Sequence, residues 1–85
     1  MSYTVTWTPS AESDLAAVWL AVPDRTAVTL AAHQIEQRLK FAPLDAGESR
    51  ESSVSRVLFV PPLGIAYDVV EGDKAVFIRV VQRVA

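Results

Sequence analysis

Three segments rich in valine and isoleucine, Val54 to Val60, Leu63 to Val70 and Ala75 to Gln82, follow one another with almost nothing between them. Pro61-Pro62 joins the first pair, and Glu71-Gly72-Asp73-Lys74 joins the second. Connections of hairpin length link antiparallel neighbours, whereas a parallel crossover needs a much longer one. The second half of the chain therefore has little choice but to form antiparallel strands. Side chains alternate along each strand. Leu63, Ile65, Tyr67 and Val69 share one face of the middle strand. In the last strand Val76, Ile78, Val80 and Val84 are expected on one face, with Phe77, Arg79, Val81 and Arg83 on the other.

The first half reads differently. Tyr3 to Thr8 alternates apolar and hydroxyl residues, a strand with Tyr3, Val5 and Trp7 on its buried side. Thr8 is a good N-cap, and Pro9 suits the first helical position. Ala11, Leu15, Val18 and Val22 then recur at helical spacing until Pro23. Asp24 can cap a second helix running to about Phe41, with Val28, Ala31, Ala32, Ile35 and Leu39 as its apolar stripe. The short break between them predicts an antiparallel helical hairpin. Pro43 to Ser53 is polar, aperiodic and the longest loop. The order β-α-α-β-β-β predicts an α+β domain over residues 1–85, with the hairpin packed on one face of an antiparallel sheet and the first strand at its edge.

Composition narrows the chemistry. Eighty-five residues, 51% of them hydrophobic, supply a core but leave little room for a deep cleft. There is no cysteine, which excludes disulfides, thiolate metal sites and a thiol nucleophile. The formal charge of −2 argues against sequence-independent nucleic-acid binding as the main activity. The sign is uneven. Residues 1–49 hold three cations and six anions, whereas residues 50–85 hold five cations and four anions. The second half is thus the place to look for an anion-facing surface. The N-terminus lacks the basic and apolar regions of a leader, and no apolar stretch reaches membrane-spanning length. A soluble, cytoplasmic protein is expected, with no cofactor, no metal and no membrane contact.

Trp7-Thr8-Pro9 after a first strand, Ala11 and Leu15 in the first helix, and Leu39 to Pro43 followed by Gly47 resemble the RelE/ParE superfamily of bacterial toxin–antitoxin toxins. Arg56-Val57-Leu58-Phe59-Val60, Pro62-Leu63 with Tyr67, and the valine-rich last strand extend the likeness over nearly the whole chain. The resemblance implies a small antitoxin partner whose disordered tail folds onto the toxin. It also implies one of two targets. RelE-like toxins cut mRNA on the ribosome, and ParE-like toxins poison DNA gyrase without cutting.

RNA cleavage by the neighbouring 2′-hydroxyl needs a base, an acid and cations around the phosphate. Among RelE-like members, the resemblance implies basic residues on central strands and a Tyr or His near the C-terminus. Arg56, Arg79 and Arg83 are the candidate phosphate clamps here, yet only Val84 and Ala85 follow the last of them. Arg56 could equally pair with Glu48 or Glu51 as an ordinary surface residue. His33 stands alone in mid-helix, and Gly47, Gly64 and Gly72 are isolated. Phe77, Arg79, Val81 and Arg83, an apolar strip with an arginine rim, read better as a partner-binding surface. The expectation is a toxin-like protein, ParE-like or a degenerate relative, that works by binding. Two alternatives stay open: a ribosome-dependent mRNA endonuclease, and a non-toxic interaction module or homodimer.

Overall fold

A computed structural model of the chain describes residues 2–46, 48–49 and 55–84. Strand β1 (Thr4–Trp7) runs into helix α1 (Pro9–Ala21) through Thr8. The Thr8 hydroxyl accepts the Ala11 N–H at 3.3 Å and donates to the Ile78 carbonyl at 2.7 Å, so one side chain caps the helix and ties its start to the sheet. Helix α2 (Arg25–Phe41) is capped by Asp24, whose carboxylate accepts the Ala27 N–H at 3.1 Å. A single turn, α3 (Pro43–Ala46), and a two-residue strand, β2 (Glu48–Ser49), occupy part of the expected loop. Then come β3 (Ser55–Val60), β4 (Leu63–Val70) and β5 (Ala75–Arg83). Val54, expected to open β3, lies outside the described residues.

The sheet order is β1-β5-β4-β3-β2. The hairpin-length connections pair β3 with β4 and β4 with β5 antiparallel, as their brevity requires. β1 sits at the edge beside β5, but parallel to it, from Thr4 opposite Ala75 to Trp7 opposite Ile78. The sheet is therefore mixed, because the two helices between β1 and β3 free the chain from hairpin geometry. The α+β architecture with a helical hairpin on one face is otherwise the expected one.

Both helices cover the same face. From them Ala11, Val18, Val28, Ala31, Ile35 and Leu39 meet Leu58, Leu63, Ile65, Tyr67, Val76 and Ile78 of the strands, all buried. Burying each larger aliphatic side chain contributes about 1.5–3 kcal/mol. Tyr67 is wholly buried, and its hydroxyl donates to the Pro43 carbonyl at 2.7 Å, satisfying the one polar group it brings inside.

One irregularity reorganises β5. Ile78 lies opposite Tyr67 and Val80 opposite Ala66, so Arg79 has no partner on β4 and forms a β-bulge. Beyond a bulge the inward and outward residues exchange places. Val76 and Ile78 point inward before it, and Val81 points inward after it, at 4% exposure. This corrects the expected faces of β5: Val80 is 39% exposed, whereas Val81 belongs to the core. Asp14 of α1 is half-buried beneath the bulge, and its carboxylate accepts the Val81 N–H at 3.2 Å.

Candidate functional site

The three candidate arginines do not converge. Arg56 is half-buried and lies in register with Tyr67, on the helix-bearing face. In β2 it is Ser49, not Glu48, that stands opposite Arg56, and Glu51 lies outside the described residues. Arg79 lies on the open face, where its Nε donates to Asp68 at 2.8 Å and its guanidinium sits 5.8 Å from the centre of the Phe77 ring. Arg83 is exposed at the end of β5, in register with Leu63 on the side that carries Val81. The expected strip is split accordingly. Phe77 and Arg79 share the open face, Val81 is buried, and Arg83 is on the opposite side of the strand.

Proton-transfer groups are no better gathered. The Tyr67 hydroxyl is committed to Pro43, and His33 lies exposed on α2. The Tyr3 hydroxyl donates to both carboxylate oxygens of Glu71, at 2.8 and 3.0 Å. Lys74 completes this cluster with a 2.6 Å bond to Glu71 and a position 5.2 Å over the Tyr3 ring. The bond from Lys74, helped by that from Tyr3, holds the Glu71 carboxyl below its ordinary pKa. The bond to Glu71 in turn raises both the Tyr3 phenol and the Lys74 ammonium. The cluster fastens the start of the chain to the turn between β4 and β5. Among the described residues no three His, Asp or Glu side chains are grouped to hold a metal ion. None of the described helices is long and apolar enough to cross a membrane.

Two surfaces remain. The first is the open face of the sheet. There Val57, Phe59, Ala66 and Val80 border a shallow depression, and Phe59 is 60% exposed. Its ring lies over Gly64 so closely that a Cβ on that residue would stand 2.9 Å from the ring. Gly64 is thus a seat for Phe59, a role its isolated place in the sequence did not disclose. Asp68 is held on this face from both sides, accepting Ser55 Oγ at 3.0 Å as well as Arg79.

The second surface is a groove of about 400 Å³ between the outer sides of α1 and α2, lined mainly by Leu15, Ala16, Trp19, Val28 and Ala32. Trp19 is 38% exposed at its rim. The Arg25 guanidinium stacks 4.4 Å over the indole and its Nε donates to the Trp19 carbonyl at 3.2 Å, fixing that wall. Glu12 lines the groove toward the start of α1. Leu20 and Leu30 are exposed on the same two helices.

The chain matches no protein-family model and no curated protein. Solved structures do resemble it. A chain of the RelBE2 toxin–antitoxin complex from Mycobacterium tuberculosis superposes with a TM-score of 0.75 at 22% identity, over 98% of this chain and 92% of that one. A chain of the chromosomal ParDE toxin–antitoxin system of P. aeruginosa gives 0.73 at 23% identity, over 98% and 97%. The isolated RelE toxin of E. coli gives 0.66 at 15% identity, over 98% and 85%. The fold of this protein is the one found in those toxin–antitoxin structures.

Proposed function

We propose that the protein is the toxin-like component of a type II toxin–antitoxin pair and that it acts by binding another protein, in the manner of ParE-like toxins. The fold shared with RelBE2 and ParDE chains supports the class. What carries the mode of action is the dispersal of the arginines. A phosphate in a cleavage transition state needs cations on one surface and a proton donor within reach. Here Arg56 lies on the helix side, and Arg79 on the open side is neutralised by Asp68. Of the expected strip, Phe77 and Arg79 stay together on one open face, while Val81 is buried and Arg83 is exposed on the other side.

In this reading a small antitoxin docks a helix on the groove between α1 and α2. The groove is apolar along its floor, and an amphipathic helix recognises such a surface through residues spaced three and four apart. Induction of the gene in a bacterial host, with and without the neighbouring open reading frame, tests the proposal. Growth arrest with intact transcripts, relieved by co-expression of the neighbour, is the expected result. Harmless expression removes the toxin reading. Arrest accompanied by cut transcripts that persist in wild type and vanish in Arg79→Ala replaces binding with cleavage.

A further inference from the structure

The groove between α1 and α2 is polarised along its length. On α1 its wall runs from Glu12 through Leu15 to Trp19, a rise of about 10 Å, or two helical turns. At the Trp19 end the Arg25 guanidinium lies 4.4 Å over the indole. The other end carries two carboxylates. Ala32 lines the groove from α2, and Glu36 follows one turn later on the same side of that helix. The Trp7 Nε1 donates to Glu36 at 2.6 Å, and Trp7 immediately precedes Thr8, the cap of α1. Glu36 is thereby held at the end where α1 begins, beside the first turn that contains Glu12. A carboxylate at Glu12 suits the dipole of α1 whatever the groove does. Glu36, in the middle of α2, has no such reason to be acidic. None of Glu12, Glu36 and Arg25 forms an ion pair among the described residues. Asp24, next to Arg25 in the chain, turns its carboxylate to the Ala27 N–H instead.

The walls also select the form of the occupant. Both are helices, whose backbone N–H and C=O groups are bonded internally, so they offer no ladder to an extended strand. An occupant has to satisfy its own backbone, as a helix does. The dipoles of α1 and α2 point in opposite directions, which leaves the side-chain charges to set which way that helix runs. We infer that the groove takes a short amphipathic helix in one direction, with basic residues at its N-terminal end against Glu12 and Glu36 and an acidic residue at its C-terminal end against Arg25. The N-terminal end of a helix carries partial positive charge and its C-terminal end partial negative charge, so the occupant's own backbone favours the same direction. It runs parallel to α1. Between the charged ends a leucine and alanine stripe two turns long meets Leu15, Ala16 and Trp19. The inference rests on the reading of this groove as a helix site, and adds the partner's charge pattern and direction.

Two fluorescein-labelled synthetic peptides test it by fluorescence anisotropy. Each has about 16 residues, long enough to hold a helix, and the same leucine and alanine stripe. One places lysines at the N-terminal end of the stripe and glutamates at the C-terminal end, and the other reverses that order. Wild type is expected to bind the lysine-first peptide at least about fivefold more tightly, because several individually weak ion pairs act together. Glu12→Lys should reduce that preference to about twofold or less. Differences in the peptides' own helix content cancel in this comparison, since the same two peptides meet both proteins. Ala16→Gln, at an exposed position in the groove, should weaken the binding of both peptides with an unchanged far-ultraviolet circular dichroism spectrum. Equal binding of the two peptides, or a preference that Glu12→Lys leaves unchanged, overturns the direction. Failure of both to bind at millimolar concentration, or binding indifferent to Ala16→Gln, overturns the groove as a helix site. Growth arrest relieved by the neighbouring gene product would survive either result, whereas harmless expression beside a directional groove would remove the toxin reading alone.

Discussion

The two faces of this one sheet are made of similar residues and put to different uses. On the helix side Leu63, Ile65, Tyr67 and Val69 of β4 are all buried against α1 and α2. On the other side Val57, Phe59, Ala66 and Val80 have comparable chemistry, yet no element of the described chain covers them. Apolar composition alone therefore does not say which face is core. Coverage does. Burial stabilises the first face within the chain, and the second has the same gain left to make with a partner.

Truncations break or sharpen this contrast. The largest effect is expected on the covered face, where Ile35→Ala or Tyr67→Ala should cost about 3–5 kcal/mol in denaturant unfolding, through lost burial and a cavity. Phe59→Ala on the open face should cost under about 1 kcal/mol in dilute solution, because an exposed side chain leaves no cavity. If Phe59→Ala matched Ile35→Ala, the distinction between the faces would fall.

Next in size is Tyr67→Phe. It keeps the ring but leaves the Pro43 carbonyl without its donor in a buried setting, for about 1–3 kcal/mol. A cost near zero would mean that water replaces the hydroxyl. Smaller again is Asp14→Ala, expected to cost about 1 kcal/mol by removing the acceptor of the Val81 N–H. Amide hydrogen exchange at Val81 should accelerate, while Asp14→Asn, which retains a carbonyl oxygen, should largely preserve protection. Equal exchange in the two variants would show that the bulge holds itself.

The smallest effect lies at the Tyr3–Glu71–Lys74 cluster, which is exposed to solvent. Glu71 has a lowered pKa in the folded state, so its contribution is present above the ordinary carboxylate range and is lost as pH falls through the lowered value. Tyr3 and Lys74 have raised values, so theirs are present below about pH 10 and are lost as pH rises through them. Glu71→Gln should therefore flatten both ends of the stability–pH profile, below about pH 4 and above about pH 10. A profile identical to wild type would show that solvent screens the cluster completely.

The parts of this fold legible in the sequence are those governed by neighbours in the chain. Thr8-Pro9 and Asp24 mark helix starts because capping is a contact over three residues. Pro61-Pro62 and the turn at Glu71–Asp73 set antiparallel neighbours because they are short. The candidate site was less legible. Strict alternation along β5 puts Phe77, Arg79, Val81 and Arg83 on one face, and the bulge at Arg79 divides them. A local signal for it exists: unbroken alternation from Val76 and Ile78 would also turn Gln82 into the core. Gly64 carried no comparable signal, since its seat for Phe59 exists only once β3 lies beside β4.

By itself, then, the sequence determined the elements, their caps, and the antiparallel run from β3 to β5, all through contacts a few residues apart. Only the tertiary structure decided the parallel edge strand, the inward turn of Val81 and the separation of the three arginines. Each depends on residues far apart in the chain, such as Asp14 reaching Val81 and Thr4 lying beside Ala75. A period of two says that successive side chains alternate. Which of them faces the core is settled by what packs against the strand.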